Sequence, residues 1–159
     1  MLEPSKFREI VKNTPLVSID LVLRNRNNEA LLGLRKNNPG KNTWFVPGGR
    51  IRKDETIETA FKRITHDELG MALDMRNARF LKVFEHLYKE NFADEPGFGT
   101  HYVVLAFEIK LSNEQLELPL QQHFDYRWMP EKDLLQKDDV HAYTKDYFRL
   151  SATAERVKS

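Results

Sequence analysis

The segment ETIETAFKRITHDEL, residues 55–69, constrains the fold more than any other stretch. Ile57, Ala60, Phe61 and Ile64 recur at i, i+3, i+4 and i+7, the period of an amphipathic helix. Asp54 or Thr56 can cap its start, and Gly70 stands where a helix end favours a left-handed residue. A helix with one apolar stripe must lay that stripe on another element. At about 100° per residue, Glu68 projects about 20° from Ile57, in the middle of the stripe. Burying a lone carboxylate costs several kcal/mol unless a partner charge or a metal ion compensates. The helix pattern alone leaves two partners open: an arginine such as Arg63, or a divalent cation. The turn Pro47-Gly48-Gly49 ahead of the helix offers free backbone carbonyls. A helix carboxylate with a loop carbonyl is a hard-oxygen set suited to Mg²⁺ or Mn²⁺.

The flanking sequence supplies the sheet. Leu16 to Leu23 is apolar and β-branched, with Asp20 its lone charge, and reads as a strand. Asn25 to Asn28 reads as a turn and Glu29 to Leu34 as the return strand of a hairpin. Trp44 to Val46, Phe80 to Leu87, His101 to Leu111 and Phe124 to Met129 read as further strands. In the third of these, Val103, Leu105, Phe107 and Ile109 share one face. Helices are expected at 2–13, closed by Pro15, and at 139–150, where Val140, Tyr143, Tyr147 and Leu150 share a side; Ala152 to Ser159 is expected to fray. Tyr88 to Thr100, with Pro96, Gly97 and Gly99, reads as a long loop, either a substrate lid or a plain variable connection. Mixed strands around one central helix, then a terminal helix, indicate an α+β chain, an α/β/α sandwich rather than a parallel doubly wound sheet. At 159 residues, one domain over 1–159 is expected.

Composition narrows the function. With 25 Lys plus Arg against 24 Asp plus Glu, bulk charge gives no sign of a nucleic-acid binder. The absence of Cys excludes disulfides, cysteine zinc sites and thiol nucleophiles, and is compatible with a reducing cytosol. No stretch approaches the roughly 20 apolar residues of a membrane span, and the charged start MLEPSKFREI is unlike a secretory signal. A cytoplasmic location is the expectation.

Residues 49–71, GRIRKDETIETAFKRITHDELGM, resemble the Nudix box, G-x5-E-x7-R-E-U-x-E-E-x-G-U with U bulky and aliphatic. Gly49, Glu55, Arg63, Glu68 and Gly70 fall in register. The pattern departs at Ile64, where its first clustered Glu belongs, at Thr65 in an aliphatic position, and at Asp67 in place of Glu. Ile64 cannot bind a cation, so fewer ions than in a typical member are expected. Beyond the box, TPLVSIDLVL, LLGLRKN, WFVPGGRIRKDET, THYVVLAFEIK and QHFDYRW resemble the GDP-mannose mannosyl hydrolase branch. That resemblance implies a Nudix fold, a mixed sheet packed between helices, and a homodimer. It implies hydrolysis of GDP-mannose and GDP-glucose at the anomeric carbon with inversion. It further implies one Mg²⁺ held by Glu68, the Gly48 carbonyl and Gln122, with His123 as base. Asp20, Arg35, Arg50, Arg63, His86 and Tyr102 fall at positions the branch uses around its substrate.

The chemistry agrees with those roles. Attack on an anomeric carbon passes through an oxocarbenium-like state, a GDP leaving group needs no protein acid, and a histidine is suited to take the proton of water near neutral pH. Arg35 and Tyr102 are reasonable donors to the leaving diphosphate, and Asp20 can face the charged ring. Plainer readings stand beside these. Asp20 can pair an arginine, Arg50 and Arg63 can orient acidic neighbours, His86 can be a satisfied structural residue, and His66 and His141 are expected outside the site. Two rival functions remain: a Nudix diphosphatase cutting between phosphates, for which Asp67 would restore a ligand, and an inactive nucleotide-sugar sensor.

Overall fold

A computed structural model describes residues 1–112, 116, 118 and 123–149. The chain runs α1 (Pro4–Asn13), β1 (Leu16–Arg24), β2 (Ala30–Arg35), β3 (Trp44–Phe45), β4 (Gly48–Arg50), α2 (Ile57–Leu69), β5 (Arg79–Tyr88), β6 (Thr100–Lys110), β7 (His123–Met129), α3 (Glu131–Gln136) and α4 (Ala142–Tyr147). The strands form one seven-stranded sheet in the order β3-β2-β1-β6-β5, with β4 also on β1 and β7 on β2. β1 and β6 run parallel from Leu16↔Tyr102 to Arg24↔Lys110, and the other pairings are antiparallel.

The near-continuous apolar run of β1 follows from burial on both faces. Ile19, Leu21 and Leu23 meet Ala60, Phe61, Ile64 and Leu69 of α2. Val22, with Val104 and Ala106 of β6, faces Leu134 of α3 and Tyr147 of α4. The expected sandwich, a mixed sheet between helices, is the fold observed.

Several expected details differ. The helix does not begin at Glu55: Thr56 caps it, accepting from the Thr59 amide at 3.1 Å, while Asp54 has φ 67° and lies outside. Ile57, in the first turn, is 45% exposed, because the sheet contacts begin at Ala60. Glu68 is nonetheless buried. Gly48 and Gly49 belong to a strand rather than a turn, since β4 pairs with Ser18, Ile19 and Asp20 of β1. The helix expected over 2–13 starts at Pro4. That expected over 139–150 is only Ala142–Tyr147, because Val140 bridges Trp44 and His141 is extended, its side chain capping the helix at the Tyr143 amide. Leu150 and Ala152 to Ser159 lie outside the described residues.

The connection between β5 and β6 is internally braced. The fully buried Asn91 side chain donates to the Glu95 and Phe98 carbonyls, each at 2.9 Å, and accepts from the Ala93 and Glu95 amides. Phe92 packs on Phe7 of α1, Glu95 pairs with Arg8, and Asp94 accepts from Asn38 at 2.6 Å. Such a loop is part of the scaffold.

Candidate active site

A cavity of about 300 Å³ opens where the ends of β1, β2, β5 and β6 meet β4 and α2. Asp20, Arg35, Gly48 and Arg50 line it from the sheet, and Arg63, Asp67 and Glu68 from α2. His86 and Tyr102 line it from β5 and β6, where they are direct cross-strand partners. The sheet topology thus gathers residues from Asp20 to Tyr102, far apart in the sequence.

The backbone of β4 forms part of the wall. A Cβ at Gly48 would lie 2.4 Å from Asp20 Oδ1 and 2.6 Å from the Ile19 carbonyl, so only glycine lets this strand approach β1. The side chain that holds the following loop is Arg63. It binds both Glu55 oxygens, at 2.5 and 2.9 Å, and donates to the Arg50 carbonyl at 2.9 Å. Its guanidinium lowers Glu55 to about 2. Arg63 therefore pairs with Glu55 and, at 3.5 Å, with Asp67, and leaves Glu68 alone.

Glu68 is 7% exposed and has no hydrogen bond or ion pair among the described residues. Burial pushes its carboxyl up to about 7; Arg35 opposes that rise, and the negative charges of Asp67 and Asp20 add to it. Asp20 is raised to about 6 by burial, against the Tyr147 hydroxyl and Arg35. Arg35 has a buried Nε without a partner, and its guanidinium lies 5.5 Å over the Phe45 ring. Arg50 forms no ion pair among the described residues and lies 5.0 Å over the Phe7 ring. Unmatched acids and unmatched guanidiniums thus border one space, as a site for a cation and an anionic ligand requires.

His86 is buried, which lowers it to about 4, with His141 contributing. His123 does not line the cavity. It begins β7 as the cross-strand partner of Arg35, its ring so close to Gly33 that a Cβ there would meet it at 2.6 Å. Its Nδ1 is 3.2 Å from the Tyr126 hydroxyl, and burial, then Arg35 and Lys36, lower it to about 4. Gln122 lies outside the described residues. His66 is exposed, and His141 stacks on Phe45 at 4.6 Å. Tyr88 and Phe45 line the cavity although nothing in their sequence context separates them from ordinary sheet residues.

No group of three His, Cys, Asp or Glu side chains among the described residues converges as a metal cluster. The carboxylates that border the cavity are Asp20, Asp67 and Glu68; Asp67 is paired with Arg63 and Asp20 accepts from Tyr147. An unpartnered buried carboxylate raised to about 7 fits one hard divalent ion, whose charge would offset its desolvation.

The family profile described as the NUDIX domain matches residues 14–150. The chain belongs to the NUDIX family. Over 117 residues, 73% of this chain and 72% of the relative, this NUDIX protein is 40% identical to the low-salt glycan biosynthesis protein Agl8 of Haloferax volcanii. It is 25% identical to the nucleoside triphosphatase NudI of Escherichia coli K12 over 112 residues, 70% and 77% of the two chains. Its fold matches a MutT NUDIX hydrolase of Burkholderia pseudomallei with a TM-score of 0.71 at 24% identity, covering 87% and 98% of the chains. It also matches the NUDIX domain of Shewanella oneidensis NrtR, solved with ADP ribose, with a TM-score of 0.62 at 18% identity, covering 99% and 100%. NUDIX hydrolases act on small nucleotide derivatives and generally need a divalent cation such as Mg²⁺. Among the described residues no helix of this one is long and apolar enough to cross a membrane.

Proposed function

We propose that this NUDIX hydrolase splits a nucleotide-sugar, GDP-mannose and also GDP-glucose, into GDP and free sugar by attack of water at the anomeric carbon with inversion. The carrying observation is Glu68, one buried and unpartnered carboxylate facing unmatched guanidiniums, where chemistry with several cations needs several acids. Ile64 holds the first acidic position of the box, and Asp67 is tied to Arg63. The 40% identity to a glycan biosynthesis protein favours a sugar-bearing substrate.

In this reading Glu68, the Gly48 carbonyl and Gln122 would hold one divalent cation, which would supply positive charge to the departing diphosphate. Arg35 and Arg50 donate to diphosphate oxygens, and Tyr102 adds a hydroxyl donor. Asp20 faces the cationic sugar ring of the transition state. His123 accepts the proton of the attacking water. Burial lowers its proton affinity to about 4, so it is neutral at pH 7 and a weaker base than a free imidazole. A second reading gives that role to His86, because His86 lines the cavity and His123 does not.

Hydrolysis in ¹⁸O-water tests the bond cleaved. Label in mannose is the expected result. Label in phosphate means attack at phosphorus, the diphosphatase reading that the cavity-lining position of Asp67 keeps alive. His123→Gln is expected to lower kcat about 10²- to 10⁴-fold, and an unaffected enzyme would hand the proton to His86.

A further inference from the structure

Tyr147 lies on α4, outside the lining of the cavity, and is buried. Its ring stands edge-on to Phe84 with centroids 4.8 Å apart. Its hydroxyl donates to Asp20 Oδ2 across 127 positions of sequence, and the same oxygen is 3.4 Å from His86 Nε2. A phenol has one proton to give. With that proton on the Asp20 carboxylate, the oxygen can only accept from His86. The arrangement therefore reads Nε2–H to Oη, and Oη–H to Oδ2, in one direction. Parallel stacking of His86 on Tyr143 at 4.3 Å fixes the imidazole plane in which that bond is made, and Tyr143 is itself pinned by bonds from its hydroxyl to the Leu87 carbonyl and from the Leu87 amide. Asp20 is on β1 and His86 on β5, with β6 between them in the sheet. One hydroxyl from a helix joins them.

We propose that Tyr147 is a positioning residue: its hydroxyl fixes the orientation of the Asp20 carboxylate and the Nε2–H tautomer of His86 at the wall of the active site. The inference rests on the functional reading above only in assigning Asp20 to the transition state. Removing the hydroxyl leaves a buried carboxylate short of a donor and an imidazole free to exchange tautomers. Misplacement of a reacting group by an ångström can cost about 10²-fold, so a rate effect of that order is available without loss of fold.

Tyr147→Phe keeps the ring and removes only the bond. It is expected to lower kcat on GDP-mannose about 10- to 100-fold with KM nearly unchanged. In an Asp20→Ala background the same substitution is expected to cost less than in wild type, because the share of the effect that runs through Asp20 is already lost. The ¹⁵N shifts of the His86 ring give a readout independent of turnover: wild type is expected to carry its proton on Nε2, and Tyr147→Phe to lose that preference. A full additional loss of kcat in the Asp20→Ala background would overturn the proposal, as would an unchanged kcat with an unchanged ring spectrum. If wild type fails to turn over GDP-mannose, the nucleotide-sugar reading falls. The positioning role then stands if the ring spectrum changes as expected, and falls if it does not.

Discussion

Two arginines on adjacent strands, Arg24 at the end of β1 and Arg35 at the end of β2, meet opposite fates. Arg24 is 9% exposed and fully matched. It binds Glu131 at 3.0 Å and the Asn28 carbonyl at 3.3 Å, pairs with Glu108 at 3.5 Å, and lies 5.0 Å over Phe148. Arg79 adds a second cation to Glu108. Arg35 lies over the Phe45 ring, has a buried Nε with no acceptor, and has two raised acids nearby. The chain evidently can satisfy a buried guanidinium. At the cavity it leaves charges of both signs without ion pairs, a costly arrangement that a bound cation and an anionic ligand would offset.

The sharpest way to break the comparison is at the unmatched acid. Glu68→Gln is expected to lower kcat/KM by at least about 100-fold and to flatten the Mg²⁺ titration, measured as initial rate against free cation. An unchanged titration would put the ion elsewhere.

Exchanging the arginines comes next. Arg35→Met is expected to lower kcat/KM about 10- to 100-fold through a lost charged contact of about 1.5–3 kcal/mol, with the unfolding midpoint in urea unmoved. Arg24→Met is expected to do the reverse, losing about 1.5–3 kcal/mol of stability with its charged hydrogen bonds while activity per folded molecule is kept. Equal effects on both properties would dissolve the contrast.

Proton linkage sharpens it further. Glu68 is raised in the folded chain, so the fold holds its proton from about pH 4.5 to about 7 while the unfolded chain has lost it. Its contribution to stability therefore falls as pH rises through that window. The lowered histidines, His86 and His123, pull the other way but are common to both proteins in a comparison. Without divalent cation, Glu68→Gln is expected to gain on wild type between pH 4.5 and 7, by on the order of 3 kcal/mol. Adding Mg²⁺ at pH 8 is expected to close the gap, read from paired urea melts.

The smallest effect belongs to α1. Phe7→Ala removes the ring under Arg50 and is expected to raise KM about two- to fivefold, the worth of an exposed cation–π contact of about 0.5–1 kcal/mol. Phe7→Tyr should restore it.

Helix α2 was legible in the sequence because period, cap and terminal glycine agree, and the burial of Glu68 followed from the same period even though Ile57 is not part of the packed face. The alternating and continuous apolar runs located the strands, but not that β1 would pair in parallel with β6, since period alone carries no partner. Gly48 read as a turn because glycine marks turns and close backbone approach alike. Asp20 stood out as the one charge in an apolar strand. Tyr147 did not, because its contact with Asp20 is made by tertiary packing and its own neighbours describe an ordinary helix side. The bracing role of Asn91 was hidden likewise, since its four bonds close within a stretch whose composition reads as loose.

Ile64 is 1% exposed and would touch a Cβ at Gly49 at 3.1 Å, so the place the box gives to an acid is filled here with hydrocarbon. Glutamate at 64 would set a second carboxylate one helical turn before Glu68, with like charges repelling along the helix. Such a protein would need a bound cation to offset the added charge.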